Sequence, residues 1–268
     1  MRELNGKVLA EYIKERQAKQ AGLLIARGVE PKLVIIQAKD DAVIDSYVKM
    51  KRRYGKDIGV MAEIRKIDQS KLIETIEDAN QDDNVHGLIV QLPLTDNSQA
   101  DEAVRFVNPK KDVDGLSEKP DFEPATATAI LWLLAGYNVD LVGKKIAIIG
   151  QGRLVGEPLS RMLESSGHEV VKIDEYTKNA SEKVRECDVI VTATGVPRLV
   201  KSDWIKEGAV VVDAGTASEG AFVVGDVDDA VRERDDLKGI TPLKGGVGPL
   251  TVCALFEHTL IAAENLTH

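Results

Sequence analysis

Short apolar runs alternate along this chain with longer segments of helical spacing. LVIIQ (Leu33–Gln37), MAEIRKI and the run VHGLIVQLPL (Val85–Leu94) read as strands. Val43–Tyr54 and Leu72–Ala79 read as the helices between them, after a charged helical start, MRELNGKVLAEYIKERQAK. Uniformly apolar strands in β-α-β-α order point to parallel sheets covered on both faces rather than to half-exposed antiparallel ones. A second series opens at KKIAIIG (Lys144–Gly150). Its strands are EVVKI (Glu169–Ile173), DVIVTAT (Asp188–Thr194), AVVVDAG (Ala209–Gly215) and GITPL (Gly239–Leu243). Between the two series lies SEKPDFEPATATA (Ser117–Ala129), a proline-punctuated stretch that marks a domain boundary, followed by a helix at Ile130–Ala135. A last helix is predicted at Leu250–Glu264. The expected fold class is α/β in two lobes. The first takes residues 1–120, and the second, of dinucleotide-binding type, takes residues 121–247.

Composition narrows the function classes. The chain has 268 residues with 43% hydrophobic and 29% charged, ordinary globular usage that argues against wholesale disorder. The net charge of −9 disfavours binding to a phosphate backbone, so no nucleic-acid partner is expected. Two cysteines, Cys187 and Cys253, cannot build a disulfide framework. With the histidines scattered at 86, 168, 258 and 268, no metal site is expected. Apolar runs reach about 7–9 residues against the ~20 that span a bilayer. The start lacks the apolar core of a signal peptide. A soluble cytoplasmic protein without a membrane partner is expected.

The sharpest local signal is KKIAIIGQGRLVGEPLSRML. An apolar strand ends at Gly150, and Gly150-x-Gly152-x-x-x-Gly156 leads into a helix with Pro158 in its first turn. Glycines there let backbone N–H groups approach a pyrophosphate at a helix N-terminus. The other reading is a glycine turn without a ligand, and the spacing is one residue longer than the common GxGxxG. Asp174 ends the next strand, where a carboxylate accepts from ribose hydroxyls, or else serves a strand-end turn. ATG (Ala193–Gly195) and DAG (Asp213–Gly215) sit at carboxyl ends of predicted strands, the edge at which open α/β sheets bind ligands.

In the first half, Tyr47 and Lys51 lie four apart on one helix face. A lysine in a cleft has a lowered pKa and can transfer protons. Lys51 among Lys49, Arg52, Arg53 and Lys56 also reads as one more solvated base. Gln91 places a polar side chain at a strand's carboxyl end. In DVDG, Asp112 and Asp114 precede Gly115, a pattern that suits an Asx-capped turn and lacks the remaining ligands of a calcium loop.

Together these segments resemble the bifunctional methylenetetrahydrofolate dehydrogenase/methenyltetrahydrofolate cyclohydrolase family. SYVKMK (Ser46–Lys51), VHGLIVQLPL, KKDVDGL (Lys110–Leu116), the Gly150–Pro158 loop, ATGVP (Ala193–Pro197), DWIKEGAVVVDAG (Asp203–Gly215), VVGDV (Val223–Val227) and TPLKGGVGPLTV (Thr241–Val252) run in family order across nearly the whole chain. The resemblance implies oxidation of 5,10-methylenetetrahydrofolate with NAD or NADP, then hydrolysis of the methenyl product to 10-formyltetrahydrofolate. It implies folate in a cleft, nucleotide on the Rossmann lobe, a final helix (residues 248–268) returning to the first lobe, and a homodimer.

By residue, the resemblance puts the catalytic lysine on Lys51, with Tyr47, Gln91 and Asp114 as its companions. Tyr47, Gln91, Leu92, Pro93, Asp114, Gly245, Gly246 and Pro249 would meet folate. Gly150, Gln151, Gly152, Gly156, Asp174, Thr177, Thr194, Gly195 and Thr216 would meet the nucleotide. Gln151 and Gly152, which offer neither charge nor hydroxyl, together with Asp174, lead us to expect NAD to serve at least as well as NADP. The chain departs from the family pattern at Ala42 and Ile44, in PATA (Pro124–Ala127), at Lys244 and at Thr216-Ala217. The rival readings are a dehydrogenase with little cyclohydrolase, a nucleotide-binding regulator without turnover, and a shikimate-type dehydrogenase, which explains neither QLPL nor GGVGPLT.

Overall fold

The computed structural model describes residues 1–219 and 222–265. Of the expected returning segment 248–268, residues 266–268 lie outside the described residues, and so do His268 and the side chain of Val223.

In chain order the elements begin β1 (Arg2–Glu3), α1 (Gly6–Ala26), β2 (Lys32–Gln37), α2 (Ala42–Ile58), β3 (Met61–Lys66), α3 (Leu72–Gln81), β4 (Gly87–Gln91), α4 (Ala100–Arg105) and α5 (Ala125–Gly136). They continue β5 (Lys145–Ile149), α6 (Gly156–Ser165), β6 (Glu169–Ile173), α7 (Ala180–Arg185), β7 (Val189–Thr192) and β8 (Val210–Asp213). β9 (Ala217–Glu219), β10 (Phe222–Val224), α8 (Asp229–Arg232), β11 (Gly239–Ile240) and α9 (Val247–Asn265) complete the order.

The chain divides into two compact units, one of residues 11–125 and 252–268, the other of residues 1–10 and 126–251. The first ten residues thus fall with the second series of elements, not with the first lobe where the sequence pattern set them. The reason is a long-range pairing: β1 lies parallel to β11, Arg2 opposite Gly239 and Glu3 opposite Ile240. The division falls inside α1, α5 and α9.

The unit of residues 11–125 holds a three-stranded parallel sheet in the order β3-β2-β4. Val34 and Ile36 pack with Leu72, Ile76, Ala79, Leu88, Val90, Ala103 and Val104 in one apolar cluster. Leu33 faces the opposite way, beside Gly87 and Thr259 of α9. Both faces of β2 are therefore dry, as its unbroken apolar run requires.

The other unit holds a six-stranded sheet in the order β1-β11-β8-β7-β5-β6, parallel at every pairing, and a separate antiparallel pair, β9 with β10. Ala147, Ile149, Ile190, Val211 and Ile240 share an apolar cluster with Val184, Val227 and Val231.

Several elements differ in extent from the sequence pattern. The expected strand Gly239–Leu243 pairs over only two residues. Thr241 N still donates to Val211 O, but Pro242 has no N–H to continue the ladder. The helix expected at Ile130–Ala135 begins five residues earlier. Ala125, Ala127 and Ala129 are fully buried, so the helix is apolar around its circumference rather than along one stripe. α9 begins at Val247, three residues before the expected start, because Pro249 sits in the first turn, where its missing N–H costs no helical bond.

Candidate active site

Asp41 caps α2: its Oδ1 accepts from Val43 N at 2.8 Å and Ile44 N at 3.2 Å, and Gly59 closes the helix in the left-handed region at φ 80°. The cap sets the helix phase. Ile44, Val48, Gly55 and Ile58 form its buried stripe, and Lys51 falls on that stripe, three residues after Val48 and four before Gly55. Lys49, Arg52, Arg53 and Lys56 are exposed. Lys51 is therefore not one of the solvated bases around it. Tyr47, one turn before Lys51, is half-buried.

The position inward of Lys51 is met by Gln91, the last residue of β4. Lys51 Nζ donates to Gln91 Oε1 at 2.8 Å, and Gln91 Nε2 donates to Leu92 O at 2.8 Å. The ammonium has only protons to offer, so this pairing also fixes which end of the amide faces it. Leu92 and the exposed Pro93 follow directly.

Asp114 completes the group. Burial pushes its carboxyl up to about 6. The Lys51 charge opposes that shift and the Asp112 charge adds to it. Burial likewise holds the Lys51 ammonium below its ordinary range, against the pull of Asp114. The two acids of DVDG have separate duties. Asp112 Oδ1 accepts from Gly115 N at 3.0 Å and Oδ2 from Ser117 N at 2.6 Å, so the Asx-turn reading holds for Asp112. Asp114 faces Lys51. A half-buried lysine held by an amide can move a proton, and a carboxylate pushed up to about 6 beside it can offer an acceptor pair to a polar edge.

The nucleotide-type loop in the other unit works through backbone. Gly150 has φ 90°, and a Cβ there would meet Ala193 O at 2.6 Å. A Cβ on Gly156 would strike Gly150 O. Both glycines are needed by the protein itself. Gly152 is different: a Cβ there meets nothing within 4 Å. A pyrophosphate approaching the backbone is what a glycine at that position suits. The residues present thus fit a dinucleotide at the N-terminus of α6. Gln151 differs from the expected contact. Its Nε2 donates to Ile148 O at 3.0 Å and its Oε1 lies 3.2 Å from Ser160 Oγ, so the side chain braces the loop from within.

Asp174 is exposed at the end of β6. Its Oδ1 accepts from Thr177 Oγ1 at 2.6 Å and Tyr176 N at 3.1 Å, which holds the carboxyl below its usual range. Two of the expected nucleotide contacts, Asp174 and Thr177, are thus joined in one turn. Thr194 N donates to Asp226 Oδ2 at 2.6 Å. Gly195 follows at φ 68°, and Thr216 is exposed.

The buried Asp226, with Asp213 ion-paired to Arg232, underlies the ATG and DAG loops. A Cβ on Gly215 would collide with the Asp226 carboxylate and one on Gly225 with that of Asp213. Sequence reasoning passed over Asp226 and Arg232. The only signal was an acid amid the apolar segment VVGDV.

Gly245 and Gly246 lie in the same unit as this loop. Gly245, at φ 87°, accepts from Lys7 N through its carbonyl at 3.0 Å, and Gly6 packs against Gly246 O so closely that no side chain fits. Pro249 sits in the first turn of α9. Lys51, Gln91 and Asp114 are brought together; these three lie in the other unit.

The family profile described as tetrahydrofolate dehydrogenase/cyclohydrolase, catalytic domain, matches residues 4–114, and that described as its NAD(P)-binding domain matches residues 124–267. The chain belongs to the tetrahydrofolate dehydrogenase/cyclohydrolase family. Within this family it is 34% identical to the bifunctional protein FolD 2 of Geobacter sulfurreducens, over 97% of this chain and 96% of that protein. The crystal structure of the bifunctional enzyme FolD from Campylobacter jejuni superimposes with a TM-score of 0.92 at 35% identity, covering 99% of each chain. The Trypanosoma brucei family member, solved with NADP cofactor and inhibitor, gives a TM-score of 0.91 at 29% identity, covering 98% of this chain and 97% of that one.

Proposed function

We propose that this family member oxidises 5,10-methylenetetrahydrofolate with NAD or NADP and then hydrolyses the methenyl product to 10-formyltetrahydrofolate, with Lys51 as the proton-transfer group of the second step. The observation that carries the reading is the 2.8 Å contact from Lys51 Nζ to Gln91 Oε1 beside Asp114.

Bound, the nicotinamide supplies the hydride acceptor for the first step. Gly152 and Gly156 would hold the pyrophosphate with backbone N–H groups, while Gly150, whose N–H donates to Ile173 O at 2.8 Å, would shape the turn beneath it, and Thr194, Gly195 and Thr216 would line the strand ends beyond. The side chains of the other unit then divide the work. Asp114, ionised above about 6, accepts a pair of N–H bonds from the amino-pyrimidine edge of the pterin. Tyr47, half-buried one turn before Lys51 on α2, would pack against the pterin in this reading. Hydride loss needs no base, so here positioning is the contribution of the protein.

Water adding to the methenyl carbon must shed protons as the ring opens. The depressed Lys51 takes one as a neutral amine and returns it to the departing nitrogen, with Gln91 holding Nζ in place; the other passes to solvent as the carbon–nitrogen bond breaks and the hydroxyl becomes the formyl carbonyl. Leu92 and Pro93 complete the folate contacts of this unit in this reading. The experiment is a steady-state assay with methylenetetrahydrofolate, together with single-turnover growth and decay of the methenyl absorbance, in wild type and Lys51→Met. Equal loss of both activities in the variant, with folate binding intact, overturns the role of Lys51.

NAD serves at least as well as NADP in this reading. Asp174 is ionised and held at the end of β6, a like charge for a 2′-phosphate, and neither the inward Gln151 nor Gly152 offers a cation. A preference for NADP above about tenfold in kcat/KM, roughly 1.4 kcal/mol, overturns it. The same reading makes the enzyme a cytoplasmic homodimer, to be checked by sedimentation. No helix among the described residues is long and apolar enough to cross a membrane.

A further inference from the structure

The segment Lys111–Gly115 is tied to the protein at almost every polar group. Lys111 Nζ caps the end of α3, donating to Asn80 O at 2.8 Å, Asp82 O at 2.7 Å and Ala79 O at 3.2 Å. Lys111 O accepts from Leu88 N at 2.7 Å. The Asp112 carboxylate takes Gly115 N and Ser117 N. Asp114 O accepts from Ala125 N at 3.2 Å. Gly115 turns at φ 71°, and a Cβ there would meet the backbone of Phe122, Glu123 and Pro124 at 2.8 Å.

One tie comes from far along the chain. His258 of α9 is buried, its Nδ1 lies 2.8 Å from Val113 O, and its ring stacks on Phe122 at 4.8 Å between centroids and 18° between planes. A carbonyl only accepts, so Nδ1 carries the hydrogen. Val113 C=O belongs to the same peptide plane as Asp114 N. The bond therefore sets the orientation of the peptide on which the Asp114 side chain is mounted.

We propose that His258 is a positioning residue for the Asp114 carboxylate: its Nδ1–H to Val113 O, braced by Phe122, holds the acid in the orientation that grips the pterin edge. The inference rests on the reading of Asp114 as the folate-holding group.

The test compares His258→Leu, which fills the space without a donor, with His258→Asn, whose Nδ2 can stand where Nδ1 stood. His258→Met is the second donor-less variant should His258→Leu not fold. In the donor-less variant the KM for methylenetetrahydrofolate rises about tenfold, while the nucleotide KM stays within about twofold; His258→Asn returns folate KM to within about threefold of wild type. Amide exchange of Asp114 and Gly115 quickens in the donor-less variant and is restored by Asn. A merely structural histidine would move the folate and nucleotide constants together and would not be rescued by Asn; either result overturns the proposal. So does an unchanged folate KM in His258→Leu when Asp114→Asn raises it. If Asp114→Asn leaves folate KM unchanged, the folate role of Asp114 falls. The exchange rates then decide the brace by themselves: faster in the donor-less variant supports it, unchanged overturns it.

Discussion

In the unit of residues 11–125 the candidate groups are side chains whose charges are poorly solvated: a lysine held below its ordinary pKa and an aspartate pushed up to about 6, facing one another. In the unit of residues 126–251 the offering is backbone. Two glycines are demanded by the close packing of the loop, at a third a Cβ would meet nothing within 4 Å, and the side chain of Gln151 turns inward. Among the acids of this second unit, Asp174 is exposed and ionised, whereas Asp226 and Asp213 are buried as struts. Chemistry that moves protons needs groups whose charge can change near neutral pH, and desolvation achieves that. Binding a nucleotide needs fixed dipoles that stay put, and a tight glycine turn supplies them.

The contrast is tested most strongly at Lys51. Lys51→Met should lower the cyclohydrolase by about 10²–10⁴-fold, the range of general acid–base catalysis, and leave hydride transfer within about tenfold. In wild type the cyclohydrolase should rise with pH through the depressed lysine pKa, since the neutral amine is the base, and the variant should lose that limb.

Asp114→Asn removes a charged acceptor worth about 1.5–3 kcal/mol, so folate affinity should fall about 10–150-fold while nucleotide affinity holds. The sign with pH follows from the raised carboxyl. Wild-type folate affinity weakens as pH falls through about 6, where the acceptor is protonated, and Asn is flat across that range. Titration calorimetry at pH 5 and 7.5, values on the order of one unit either side of that pKa, measures both.

In the other unit the two glycines should separate. Gly156→Ala drives a methyl into Gly150 O and should cost about 1–3 kcal/mol in denaturant unfolding. Gly152→Ala should leave stability within about 0.5 kcal/mol, yet weaken nucleotide binding about tenfold. Equal effects on stability would remove the ligand from the explanation of Gly152. The smallest change is expected at Asp174→Ser, which should shift the NADP-to-NAD ratio of kcat/KM by about threefold to tenfold towards NADP.

The apolar runs by themselves determined the α/β class, the two series of elements and the parallel sheets, because a strand dry on both faces has to be apolar at every position. The glycine spacing after β5 likewise announced its turn, since the conformation of Gly150 and the crowding at Gly156 admit almost nothing else. Lys51, Gln91 and Asp114 could be picked out through the family resemblance, but their relation could not. Lys51 stands among five bases within eight positions, and only the phase of α2 on the sheet turns that one inward.

The pairing of β1 with β11, the inward Gln151, the turn that ties Asp174 to Thr177, and His258 beneath Val113 all join positions whose partners no local pattern names. Local sequence carries propensity and periodicity over a few turns or strands. Which charge loses its water, and which acid is spent on a turn while its neighbour faces a lysine, depends on groups up to 145 residues away along the chain, and packing alone brings them together.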